Sequence, residues 1–181
     1  MHKITTAAVA GVLLVPASSA ALGAAASGGA VATYDGKTID LSEGWQGAHA
    51  CLVVSTAEVR CYDTEREMRD SLVAAARRAV PTDQVAPSIA CSGGGNLVTL
   101  YADVSMGGNS LSFVSTSGWV NLAPFGFDND MESWVNQTPC AAVVADGTGG
   151  SSAQLTLAAH SSSSSVGSTW KNRASSINVS P

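Results

Sequence analysis

The feature that most constrains this chain is a pattern its second half contains twice. From Leu100 to Trp134 the sequence opens on a short apolar run ending in an aromatic, Leu100-Tyr101. A tight corner follows at Met106-Gly107-Gly108, then an alternating run, Leu111-Ser112-Phe113, and a loop carrying Trp119. The unit closes on Gly126-Phe127-Asp128-Asn129-Asp130-Met131-Glu132-Ser133-Trp134. A degenerate copy comes next. Val143-Val144-Ala145-Asp146 answers Leu100 to Asp103, Gly149-Gly150 answers Gly107-Gly108, and Leu155-Thr156-Leu157 answers Leu111 to Phe113. Trp170-Lys171-Asn172-Arg173-Ala174-Ser175-Ser176-Ile177 answers Phe127 to Trp134. A repeat of roughly 40 residues is one supersecondary unit used twice. Short β-prone runs with glycine turns make each unit a set of strands, and the pair should close one sandwich core. Tyr101, Leu111, Phe113, Trp119, Phe127, Trp134, Leu155, Leu157, Trp170 and Ile177 are the expected core.

An aromatic, a Gly-Gly corner, a serine in the next strand and a polar Asp/Asn-x-x-Ser-Ser segment together resemble the Greek-key motif of the βγ-crystallins. Among such proteins the chain looks closest to the secreted bacterial metalloproteinase-inhibitor family. The resemblance covers Cys91 to Val179, about half the chain. It implies a mainly β fold, a two-Greek-key antiparallel sandwich over residues 91–181, preceded by a small hairpin-plus-helix module.

Residues 1–26 read as a secretory signal peptide. His2 and Lys3 give a positive start, Ala7 to Val15 is an apolar run too short to span a bilayer, and Ala-x-Ala-type options end at Ala20 or Ala26. The expected product is secreted and extracellular, about 155 residues long, enough for one compact domain with or without an appendage. No membrane partner is expected. The formal net charge is −5. Between Arg78 and Lys171 there is no Lys or Arg, while Asp83, Asp103, Asp128, Asp130, Glu132 and Asp146 all fall there. A phosphate-binding surface needs clustered cations, so nucleic acid is not an expected partner.

The four cysteines belong to an oxidising compartment and allow three pairings. Cys51 and Cys61 flank two short apolar runs that turn near Thr56-Ala57, and a hairpin there sets them opposite each other. Cys91 enters the first Greek key and Cys140 leaves it. The expected pairs are Cys51–Cys61 and Cys91–Cys140. No Cys-x-x-Cys spacing suggests a metal-bound alternative.

In residues 27–80, Asp35-Gly36 between short β-prone runs is a hairpin signal. Thr64 with Glu67 three residues on is a capping box, and Met68, Leu72 and later alanines follow at helical spacing. The pattern predicts a helix from about Glu65 to Ala79, with its Arg66, Arg69, Arg77 and Arg78 face in solvent. A linker at 81–90 ends the segment. It is either a propeptide-like region or a module packed on the sandwich.

Enzyme signatures are absent: there is no Gly-x-Ser-x-Gly, no His-Glu-x-x-His and no phosphate loop. The expectation is a binding protein and not an enzyme. Crystallin-type calcium sites resemble Asp/Asn-Asp/Asn-x-x-Ser/Thr-Ser, once per key, with each ion taking ligands from both motifs. Asp128 and Asn129 match the first two positions, and Glu132 stands at the fifth, where it could ligate or block. In the second motif Ser175 and Ser176 match, but Lys171 stands where an acid or amide should be and offers no lone pair. The expectation is no required cofactor and at most a weak calcium site from Asp128, Asn129, Glu132 and Ser175. The resemblance further implies inhibition of an extracellular protease; on position alone, the segment around Cys140, between the keys, is a candidate for the loop that enters the cleft. The alternative is a non-inhibitory, crystallin-like structural protein of the cell exterior.

Overall fold

The computed structural model describes residues 28–79, 96–116 and 118–179. The expected signal peptide, the linker at 81–90 and Cys91 lie outside the described residues. The N-terminal segment contributes β1 (Val31–Tyr34), β2 (Lys37–Asp40), β3 (Ala50–Ser55), β4 (Glu58–Tyr62) and helix α1 (Glu65–Ala79). The first repeat holds β5 (Val98–Asp103), β6 (Gly107–Phe113), β7 (Val120–Asn121) and β8 (Ser133–Asn136). The second holds β9 (Ala142–Ala145), β10 (Gln154–Leu157), β11 (Ser161–Ser163), the short α2 (Gly167–Trp170) and β12 (Ser176–Val179).

Two sheets result. Eight strands run in the order β11-β8-β5-β6-β3-β4-β1-β2, and four in the order β10-β9-β12-β7. Each repeat lends its third strand to the other. β7 leaves the first key to pair with β12, and β11 leaves the second to pair with β8. Every pairing within and between the two repeats is antiparallel, giving the mainly β, two-Greek-key sandwich. The exchange means that neither repeat completes its sheet alone, as a duplicated unit with one open apolar face requires.

The repeats correspond with two changes of register from the sequence expectation. Tyr101 lies opposite Ser133 as Ala145 lies opposite Ser176, so Val144 to Gly147, not Val143 to Asp146, answers Leu100 to Asp103. Gly149-Gly150 occupies the place of Ser105-Met106, not of Gly107-Gly108. Ser105 and Met106 have φ of 56° and 59°, and Gly149 and Gly150 have 62° and 82°. The first key makes this left-handed corner without glycine, so the conspicuous Gly-Gly pair in the sequence sits two residues too late to mark it.

Of the expected core, Tyr101, Leu111, Phe113, Phe127, Trp134, Leu157 and Ile177 are buried. Trp119, Leu155 and Trp170 are only half-buried. Burial of each large apolar side chain is worth about 1.5–3 kcal/mol.

The N-terminal segment is built into this core. β3 lies parallel beside β6, with Cys51 opposite Leu111 and Val53 opposite Phe113. β1 lies parallel beside β4. Among the described residues, parallel pairing is therefore present only where this segment is involved. A parallel neighbour needs a long crossover, and β4, α1 and β5 all fall between β3 and β6 in the chain. Ile39, Leu41, Trp45 and Val59 share one buried cluster with Phe113, Phe125 and Phe127. Trp45 Nε1 donates to Phe125 O at 2.8 Å. Gly126, at φ 64°, lies so close that a Cβ there would sit 2.5 Å from Leu41 O. Chain on both sides of residues 81–90 thus contributes to one sheet and one core.

Local expectations in this segment hold. Asp35 and Gly36 both have positive φ, the type I′ geometry that suits a two-residue hairpin. Cys51 and Cys61 face each other across β3 and β4 and are joined as a disulfide. Thr64 Oγ1 accepts from Glu67 N at 3.2 Å, capping α1. The helix buries Met68 against Ala50, Leu52 and Leu97. Its arginine face is not wholly in solvent. Arg69 Nη1 donates to Gln137 Oε1 at 2.8 Å, and Arg69 Nε donates to Glu65 Oε1 at 3.0 Å. The same Glu65 oxygen accepts from Tyr101 Oη at 2.9 Å, tying the helix to the first key.

Candidate functional site

Two constellations at the junction of the keys carry the residues that the sequence singles out. The first is the pair of interlocked loops before β8 and β12. Asn129 and Asn172 hold equivalent left-handed positions, φ 56° and 54°, a conformation asparagine tolerates better than most residues. Asn129 N donates to Ala174 O at 2.9 Å, and Asn172 N donates to Met131 O at 3.2 Å. These reciprocal bonds are the local two-fold of the repeat.

Side chains break that symmetry. Asp128 Oδ2 accepts from Asn129 Nδ2 at 3.1 Å, and Ser175 Oγ donates to Asn129 Oδ1 at 3.3 Å. Asp128, Asn129 and Ser175, three of the four expected ligands, therefore form one chain of contacts. Glu132 is engaged elsewhere: its Oε1 lies 2.9 Å from Lys171 Nζ. This contact joins the first motif to the second through a side-chain cation. Nearby, burial first, and then the charges of Asp103 and Glu132, push the Asp130 carboxyl above its ordinary range. Among the described residues no group of three or more His, Cys, Asp or Glu side chains is placed to hold a metal ion.

The second constellation is the loop Gln137–Ala141 between β8 and β9. Gln137 N donates to Leu97 O at 2.9 Å, and Thr138 O accepts from His160 N at 3.1 Å. From beneath, Asn136 Nδ2 donates to Cys140 O at 2.8 Å and to Leu157 O at 2.9 Å. Asn136 Oδ1 accepts from Thr138 N at 2.9 Å and from the Thr138 hydroxyl at 2.7 Å. Thr138 is buried, whereas Pro139 and Ala141 are exposed. A short stretch of backbone is thus displayed while its flanks are fixed. Cys140 is not a free thiol; its expected partner Cys91 lies outside the described residues. Position between the keys pointed to this loop, but not to Asn136. The only local signal was an Asn two residues before a Thr, the pattern of an Asx turn.

A third feature had no sequence forewarning. An open cleft of about 860 Å³ is lined by Tyr34, Asp35, Glu58, Arg60, Tyr62 and Asp63, among others. Tyr34 Oη donates to Asp63 Oδ1 at 2.5 Å, which is the main reason its phenol is held above its ordinary pKa. Glu58 and Arg60 form an ion pair with each other. No described helix is long and apolar enough to cross a membrane.

No protein-family model matches the chain, and no curated protein matches it. Solved structures do. A βγ-crystallin from Ciona intestinalis is 23% identical, spanning 46% of this chain and 98% of its own, with a TM-score of 0.40. A βγ-crystallin domain from Clostridium beijerinckii is 20% identical, spanning 46% and 97%, with a TM-score of 0.41. One from Flavobacterium johnsoniae is 24% identical, spanning 45% and 90%, with a TM-score of 0.38.

Proposed function

We propose that the chain is a secreted binding protein, not an enzyme, that blocks an extracellular protease, a metalloprotease by preference, by presenting the Gln137–Ala141 loop to its cleft. The observation that carries this reading is the tethering of that loop. Its backbone is bonded at Gln137, Thr138 and Cys140 while Pro139 and Ala141 stay exposed. A loop already held in one shape loses little conformational entropy when a partner engages it, so more of the contact energy appears as affinity. The Cys51–Cys61 disulfide supports an oxidising, extracellular setting. The test is titration of the purified mature chain against a thermolysin-like metalloprotease. Stoichiometric loss of activity supports the reading, and undiminished activity at micromolar protein removes it for that protease class.

The second reading is a non-inhibitory, crystallin-like structural protein of the cell exterior with at most weak calcium binding. Lys171 and Glu132 favour it in one respect. Their contact joins the two motifs with a charge the chain itself carries, so the interlocked loops do not depend on an ion for cohesion. Any calcium taken up would lie on the Asp128, Asn129 and Ser175 side.

A further inference from the structure

We propose that Asn136 is the positioning residue of the Gln137–Ala141 loop: its buried amide holds the loop in the single shape that a protease can contact but not draw out as a substrate. The biological meaning of this step rests on the inhibitor reading; the claim about the loop's shape does not.

Asn136 ends β8 and is 1% exposed. An amide so buried is costly unless its donors and acceptor are all used. Here they are. The two bonds given by Nδ2 go to Cys140 O and Leu157 O, and the two taken by Oδ1 come from Thr138 N and the Thr138 hydroxyl. The orientation is fixed by its partners, since a flipped amide would set oxygen against two carbonyls and NH₂ against an N–H. One side chain therefore grips the loop before Pro139 and after it, and anchors both to β10 of the other sheet. Thr138 adds to the grip: its one hydroxyl proton is shared between Asn136 Oδ1 and Cys140 O, 2.8 Å away, and its oxygen accepts from Cys140 N at 3.4 Å.

Proteolysis requires a segment to leave its native contacts and extend through the protease cleft, so it follows the ease of local opening. A loop of five residues between two paired strands cannot extend while Asn136 holds it. Ala142, the next residue, is already in β9. Asparagine is needed because the site demands two donors and two acceptor contacts from one short side chain. Aspartate matches the shape but sets a carboxylate against two carbonyl oxygens.

The experiment compares the parent mature chain with Asn136→Asp, Thr138→Val and Thr138→Ser. Three quantities are read well below the melting temperature: the rate and position of cleavage by thermolysin, the inhibition constant, and the melting temperature itself. The expected result is cleavage within residues 137–142 at least about tenfold faster in Asn136→Asp and Thr138→Val, the scale of one to two lost buried hydrogen bonds. Their inhibition should weaken in the same order, and Thr138→Ser, which keeps the hydroxyl, should stay near the parent. If Asn136→Asp does not fold, Thr138→Val against Thr138→Ser decides. A parent that inhibits nothing, with variants cut faster in this loop, upholds the role of Asn136 and removes the inhibitor reading. A parent that inhibits, with both variants equally inhibitory and uncut, overturns the role of Asn136 and leaves the inhibitor reading standing. Cleavage that rises at every site in step with a lower melting temperature also overturns it, since that is general destabilisation.

Discussion

Ser133 and Ser176 perform the same task at equivalent points of the two keys. Ser133 Oγ accepts from Met106 N at 3.0 Å and donates to Asp103 O at 2.6 Å. Ser176 Oγ accepts from Gly150 N at 3.0 Å and donates to Gly147 O at 2.6 Å. Each hydroxyl closes the corner after the first strand of its key, and both residues are fully buried. Ser133→Ala and Ser176→Ala should each destabilise the protein by about 1–3 kcal/mol, because each strands a backbone donor and an acceptor. Urea titration of the two variants measures this. A negligible loss at both would mean that the corners are held by the backbone alone.

The N-terminal segment should be indispensable to folding. Residues 91–181 alone would expose the β6 edge and uncover Phe113, Phe125 and Phe127, which now pack with Leu41 and Trp45. That fragment is expected to be unfolded or aggregated by circular dichroism and sedimentation. Within the full chain, Gly126→Ala should cost about 2 kcal/mol or more, from a left-handed φ and a clash with Leu41 O. A folded, monomeric fragment would make the segment an accessory.

Stability should fall at alkaline pH partly through Tyr101. Burial first, and then Glu65, holds its phenol far above the ordinary value. With the folded value raised, the contribution is fully present below about pH 10, where the unfolded phenol is also neutral. It is lost as pH rises further, because the unfolded chain ionises and the folded one resists. Tyr101→Phe should flatten that slope, read from chemical denaturation between pH 8 and pH 11. An unchanged slope would place the alkaline sensitivity elsewhere.

Calcium should matter little. A site weak even by extracellular standards, roughly 10⁻⁴–10⁻³ M, adds on the order of 1 kcal/mol at millimolar ion. Melting in chelator and then in a few millimolar calcium should differ by only a few degrees. Lys171→Asp should gain a calcium-dependent rise, since it replaces the cation paired with Glu132 by a ligand. Without calcium the variant should be less stable than the parent, because Glu132, only 13% exposed, loses its cation and gains a carboxylate neighbour. A shift above about 10 °C in the parent would show that Lys171 does not disable the site.

The repeat, the hairpin at Asp35-Gly36, the Cys51–Cys61 pair and α1 were legible because each depends on residues close in sequence or on spacing that recurs. What escaped depends on residues that only the fold brings together. Nothing in the run Ala50 to Ser55 says that its partner is β6, and nothing near Val120 or Ser161 says that β7 and β11 cross to the other key. Lys171 was visible as a flaw in a calcium motif, yet its partner Glu132 is a matter of three-dimensional placement. Asn136 was invisible for a similar reason: an asparagine in a polar loop looks the same whether it faces water or grips Cys140 and Leu157. The corner at Ser105-Met106 leaves no mark in the sequence, because its left-handed backbone is built without glycine.

The most direct test of the account is the inhibition titration. The mature chain, with its fold verified by circular dichroism, is added to a fixed concentration of a thermolysin-like metalloprotease, and the residual rate on a small substrate is followed. The account predicts a linear fall to zero near one equivalent, with the Gln137–Ala141 loop intact by peptide mapping afterwards. An unchanged rate at micromolar protein, or rapid cleavage of that loop in the parent chain, would contradict it.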